Sequence, residues 1–242
     1  MTSGLRAADL AFVPWADGDV ERHVATGAAW LREQLGRPAV FVPQKSNYEN
    51  NPALERALPG VPVVTGRTWH QADWRGGPLL VCWPTESMLG LLSQRLGGTV
   101  TAACVLEWGD APYQRAWLAA HHATDLTAGM PLTSYDADLP SVVVVAMRHL
   151  ASLVNHANGL AGHTDKGLAI ETLTTLVRGG HRFDVDQLCA WALAQGFTTS
   201  ETERLRDYGT KALAGHRFRD GREHFLHSES LDRWTAEANS MS

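Results

Sequence analysis

Nine side chains able to bind a ligand or move a proton fall at or just after short apolar runs: Lys45, Ser46, Asn47, Trp69, His70, Trp83, Thr85, Glu86 and Glu107. Indoles offer flat apolar faces with one polar handle, suited to stacking on a base or another planar ligand. A free helix N-terminus and a nearby lysine favour an anion. Thr85 and Asn51 would cap helices without adding negative charge, whereas Asp17 and Asp110 would cap theirs with carboxylates. A carboxylate beside tryptophans can have a raised pKa and act as an acid or base. Together these residues predict a small planar, anionic metabolite or nucleotide, held by Lys45, Ser46, Asn47, Trp69, Trp83 and Thr85. Glu86, Glu107 and His70 are the first candidates for proton transfer. The competing reading is structural. Trp15, Tyr48, Trp69, Trp83 and Trp108 would plug the top of a sheet, Thr85 and Asn51 would be plain caps, and Glu107 would be a strand end reaching solvent.

The residues specify no reaction and no cofactor. The chain lacks GxxxxGK[ST], GxGxxG after a strand, GxSxG and HExxH, the signatures of common phosphate-binding, dinucleotide, serine-hydrolase and zinc-protease sites. No metal site is expected. His149, His156 and His163 recur every seven residues, about 10 Å apart on a helix, too far to share one metal at ~2.1 Å bonds. His224 and His227 have workable spacing but no evident third ligand. Residues 191–205 partly resemble a helix-turn-helix, with Ala192, Gly196 and Leu205 in register. Gln195 and Thr202 occupy positions that this motif usually makes apolar. The second function class is therefore a non-enzymatic module in which the C-terminal helices meet DNA or a protein.

The elements that must position these groups alternate. Leu10–Pro14, Ala39–Pro43, Val61–Thr65, Leu79–Trp83 and Val100–Leu106 are nearly unbroken apolar runs, as strands buried on both faces require. Helix signals follow most of them: a stripe of Val20, His23, Val24, Gly27, Ala28 and Leu31 behind Asp17, Asn51-Pro52, Thr85-Glu86, and Asp110 with Pro112. The expected fold is α/β, a Rossmann-like, mostly parallel sheet of about five strands followed by a C-terminal helical region. The long connection over residues 66–78 has no helical period. The expected division is 1–130 for the sheet and 131–242 for the helices. Helices are predicted over 139–158 (despite four consecutive valines), 165–178, 185–195 and 200–214. Asp184 with Gln187, and Ser200 with Glu203, match capping-box spacing. The tail from Arg217 is charged, His-rich and expected to be loosely held.

Composition bounds the partners. The 242 residues are 44% hydrophobic and 19% charged, with net charge −5, values of a folded soluble chain. Acids and bases number 12 and 10 over residues 1–130, and 14 and 11 over 131–242. Neither half has the basic excess that favours nucleic acid. No run approaches a membrane span, and the N-terminus lacks a secretory pattern. Cys82, Cys104 and Cys189 form no CxxC pair and read as buried thiols in a reducing compartment, predicting a cytoplasmic location. Of 21 basic residues only Lys45, Lys166 and Lys211 are lysine, a bias expected of a GC-rich bacterial genome. A small-molecule ligand is the expected partner, and nothing in the residues specifies an oligomeric state.

Overall fold

All five apolar runs become strands, because almost every residue in them is buried against helices or loops on both faces. The computed structural model describes residues 9–15, 19–109, 111–135, 137–155, 158–218 and 225–241. The chain divides into two units, Met1–Ser134 and Tyr135–Ser242.

The first unit is a seven-stranded sheet in the order β3-β2-β4-β5-β1-β6-β7. Its strands are β1 (Asp9–Val13), β2 (Ala39–Phe41), β3 (Val63–Val64), β4 (Gly77–Cys82), β5 (Val100–Leu106), β6 (Thr124–Asp125) and β7 (Met130–Pro131). Only the β6–β7 pair is antiparallel; every other pair is parallel. The helices are α1 (Val20–Glu33), α2 (Lys45–Glu49), α3 (Pro52–Ala57), α4 (Glu86–Ser93) and α5 (Pro112–Ala120).

The register sorts side chains onto two faces. Val40, Leu80, Cys104 and Ala11 form one row across the sheet and pack with Val24, Ala28 and Leu31 of α1 and Leu54 of α3. The adjacent row, Phe41, Val81, Val105 and Phe12, packs with Met88 and Leu89 of α4 and Trp117 of α5. Strand order explains the split. The chain moves one way across the sheet from β1 to β2 to β3, then the other way to β4, β5 and β6. Right-handed crossovers put the connections of these two journeys on opposite faces. Neighbours β2 and β4 therefore send their following helices to opposite faces, and so do β5 and β1. At such reversals the chain parts and leaves a crevice beyond the carboxyl ends of the strands.

Several local expectations shift. The α1 cap is Asp19, whose side chain accepts from the Arg22 amide at 3.0 Å; Asp17, the expected cap, lies outside the described residues. The expected cap Asp110 also lies outside them, and α5 opens on Ala111 and Pro112. The 66–78 connection is pinned by buried Trp69 and Trp74.

The second unit contains α6 (Ser141–Leu153), α7 (His163–Arg178), α8 (Val185–Ala194), α9 (Thr199–Leu213) and α10 (Ser230–Ser240). The four valines sit inside α6, where Met147 and Leu150 continue the buried stripe. Asp184 caps α8, accepting from the Gln187 amide at 2.9 Å. The α9 capping box is Thr198 with Glu201 rather than Ser200 with Glu203. Glu201 is fully buried and accepts the Thr198 amide at 2.6 Å, which seats the box two residues earlier. The expected loose tail is corrected too. It contains α10, which packs on α6 and buries Trp234 in the helical core. Among the described residues no helix is long and apolar enough to cross a membrane.

Candidate functional site

The carboxyl ends of β1, β2, β4 and β5 surround a cleft of about 510 Å³. Ser46, Asn47, Asn50 and Asn51 come from the chain after β2, Trp83 follows β4, and Trp108 follows β5. Val20 of α1 and Pro43 complete the lining. Both winding reversals therefore open onto this cleft.

Its aromatic wall is built stepwise. Trp108 is 53% exposed, with its ring 4.7 Å from Trp15 and 5.9 Å from Trp83, the latter pair steeply crossed at 73°. Trp15 in turn meets His23 edge-on at 5.7 Å. Trp83 has φ +52°, a left-handed conformation uncommon for any bulky residue. It directly precedes Pro84, where extended backbone is the norm. Its amide donates to the Leu106 carbonyl at 3.0 Å, so the strand ladder runs right up to the bend. The Trp83 indole nitrogen is buried without a hydrogen-bond partner. Backbone outliers and unsatisfied buried donors of this kind concentrate at functional sites.

Two buried polar side chains hold the loops beneath the tryptophans. Gln114 of α5 is 2% exposed. Its Oε1 accepts the Trp108 amide at 3.0 Å, and its Nε2 donates to the Pro84 carbonyl at 3.0 Å. The Tyr113 hydroxyl donates to the same carbonyl at 2.9 Å. The turns after β4 and β5 are thus tied to one helix. Glu107 is also 2% exposed. Its Oε2 accepts the Trp15 amide at 3.2 Å, and its Oε1 meets Arg115 Nε at 2.9 Å. The expectation of a strand end reaching solvent is overturned: the Glu107 carboxylate points inward and ties the β1 and β5 ends together. His23 donates from Nε2 to the Val13 carbonyl at 2.8 Å, and burial lowers its pKa against a smaller opposing effect of that bond.

Of the residues expected to bind a ligand, Ser46, Asn47 and Trp83 line the cleft. Lys45 does not; it is exposed and paired with Glu49 at 2.9 Å, one turn along α2. Thr85 caps α4, accepting the Met88 amide at 3.4 Å and bonding to Ser87. Trp69 is 5% exposed, edge-on to Phe41 at 5.0 Å and Trp74 at 5.6 Å, with Arg95 over its ring. It belongs to the opposite face, because the β3-to-β4 connection crosses there. His70 is exposed beside it, and Glu86 stands in the first turn of α4. The three proton-transfer candidates do not line the cleft. Among the described residues no group of three or more His, Cys, Asp or Glu could hold a metal.

Trp108 and Asn51 were visible as a strand-end aromatic and a cap, but not as cleft walls. Gln114 carried one usable signal, a lone amide within a buried helical stripe that includes Ala116, Trp117 and Leu118.

The sheet unit thus defines a class by geometry, an α/β protein with a Trp- and Asn-lined cleft at the carboxyl edge of parallel strands. A family model described as a domain of unknown function (DUF1889) matches residues 139–235, which lie in the helical unit. No curated protein and no solved structure matches the chain.

Proposed function

We propose that the sheet unit binds a small planar metabolite or nucleotide in the strand-end cleft. One observation carries the reading: two tryptophans and a run of carboxamides line a cleft of about 510 Å³ where the winding reverses. That volume lies within the range of small-molecule sites, ~300–1,000 Å³. Parallel strands with helices on both faces and a ligand at a reversal are Rossmann-like traits. The strand order is a different permutation from the familiar 3-2-1-4-5-6 winding. Three buried free thiols and the arginine bias fit the cytoplasm of a GC-rich bacterium. Turnover would require a proton-transfer group to enter the cleft from outside its present lining.

The alternative, a nucleic-acid reader built on α8 and α9, has less behind it. Arg204 donates to the Gly159 carbonyl, Arg206 pairs with Asp186, and Lys211 pairs with Asp207.

The test is titration with nucleosides, nucleotides and related metabolites, followed by tryptophan fluorescence and melting temperature. A ligand at a hundred times its Kd adds about 2.7 kcal/mol to stability. Trp108→Ala removes an exposed wall and should weaken binding by ~1–3 kcal/mol, the usual worth of stacking on an aromatic side chain, with little change in the ligand-free melting temperature. A panel in which no compound alters either signal would overturn the reading.

A further inference from the structure

The cleft's polar edge has a fixed sense. Asn47 Oδ1 accepts the Gln44 amide at 2.9 Å. Asn51 Oδ1 accepts the amides of Ala53 at 3.0 Å and Leu54 at 3.1 Å. Backbone capping therefore consumes the acceptor end of both carboxamides and locks their orientation, leaving each NH2 group as the outward donor. Among the described residues neither NH2 group has a partner. Asn50 and the Ser46 hydroxyl retain both donor and acceptor capacity.

The charge pattern points the same way. Among the described residues none that lines the cleft is ionisable. Lys45 is held by Glu49 outside it, and the Asp19 carboxylate caps α1 immediately before Val20 of the lining. Among the described residues a phosphate here would meet no cation in the lining and would lie near a carboxylate. The steeply crossed pair of Trp83 and Trp108 makes a corner, so a flat ring stacks on one indole while its rim meets the other.

We infer that the cleft, read as a ligand site above, selects an uncharged planar heterocycle by the carbonyl-bearing edge of its ring, with Asn47 and Asn51 donating to ring carbonyls and Ser46 or Asn50 accepting the ring N–H. Pyrimidine-diones and flavin-type rings carry two such carbonyls flanking an N–H, and a 6-oxopurine carries one carbonyl beside its N–H with N7 as the second acceptor. The inference rests on the ligand reading and narrows it: phosphate contributes nothing to recognition.

The experiment measures Kd by fluorescence and calorimetry for inosine, uridine and riboflavin, for adenosine, and for the phosphorylated counterparts of each nucleoside, at low and high salt. Inosine should bind at least about tenfold more tightly than adenosine, whose amino group opposes donor with donor. Phosphorylation should change Kd by less than about threefold, and salt should have little effect, because no charge pair forms. Riboflavin binding without inosine or uridine would identify the fused flavin ring as the member of the class. Asn47→Asp and Asn51→Asp keep the capping oxygen, so the melting temperature should hold. Each replaces a donor with a charged acceptor and should weaken inosine binding at least about tenfold. Adenosine or a phosphorylated ligand binding most tightly, with Trp108→Ala sensitivity, would overturn this inference and leave the ligand site standing. Unchanged inosine binding in both Asp variants would do the same. No binding by any compound would overturn both.

Discussion

Trp83 illustrates how one residue can hold two opposed demands. Its amide completes the β4–β5 ladder, while Pro84 and the Thr85 cap immediately redirect the chain into α4. A left-handed φ at a bulky residue costs of order 1–3 kcal/mol and persists only where the surroundings over-determine it. Gln114 supplies much of that determination by holding both the Trp108 amide and the Pro84 carbonyl. Gln114→Ala leaves those groups without their buried partner and should destabilise the protein by about 1–3 kcal/mol in urea unfolding. It should also weaken ligand binding, because Trp83 and Trp108 are the residues these bonds position. Gln114→Glu keeps the acceptor but loses the donor to Pro84, so it should recover the Trp108 contact alone. An Ala variant of unchanged stability would remove the clamp from this account.

Helix α1 docks on the sheet more closely than a helix with side chains along its contact line could. A Cβ built on Gly27 would lie 2.7 Å from Leu106 Cδ2 and 2.8 Å from Leu80 Cδ1. Gly27→Ala gains about 1 kcal/mol of helix propensity but overpacks a full core, at ~1–3 kcal/mol. The clash outweighs the propensity, and a net loss near 1 kcal/mol is expected from denaturant unfolding. A gain would mean that the two leucines repack freely. The second unit uses the same device. Gly167 of α7 faces the Phe225 ring, which a Cβ would overlap, while Glu171 accepts the amides of Phe225 and Leu226. A segment that reads as charged tail is thereby seated on a helix.

Across the molecule, two histidines held below the ordinary imidazole pKa, the buried His23 and the more exposed His121, set the response to mild acid. Burial lowers the pKa of His23, against a weaker opposing effect of the Val13 carbonyl. Partial loss of hydration, with the ring packed on Trp117 at 4.3 Å, and then the neighbouring His122 lower that of His121. In the unfolded chain both titrate near the ordinary value of 6.5. As pH falls below that value the unfolded chain binds protons that the native state refuses. Stability contributed by the neutral histidines is full above 6.5 and declines towards their lower native values. Asp125 acts in a separate, more acidic window. Burial raises its pKa, but hydrogen bonds from Thr127 and Ala128 and the Arg115 charge outweigh that effect, so its contribution is lost only below the ordinary 3.8. Melting temperature should therefore fall between about pH 7 and pH 5, and His23→Gln should flatten the slope. A profile flat over that interval would contradict the assignment.

The amino-acid sequence by itself determined strands β1 to β5 and most of the helices, but not the short α2, the edge strands β6 and β7, or α10. The five apolar runs of the first half are satisfied by strands covered on both faces, the stripe from His23 to Leu31 by a helix on a sheet, and Thr85, Asn51 and Asp184 by the caps they form. Those are local constraints, written within about a dozen residues. Tertiary structure decided which strand ends meet, because order across the sheet depends on packing between distant segments. The same Trp chemistry put Trp69 in the core of one face and Trp83 in the cleft, according to the side on which each connection crosses. It also turned Glu107 inward onto Arg115, committed the oxygens of Asn47 and Asn51 to backbone amides, and drew the tail into the helical unit. Residue types announced the polar and aromatic groups available, but only the winding of the chain assigned each to a wall, a clamp or a plug.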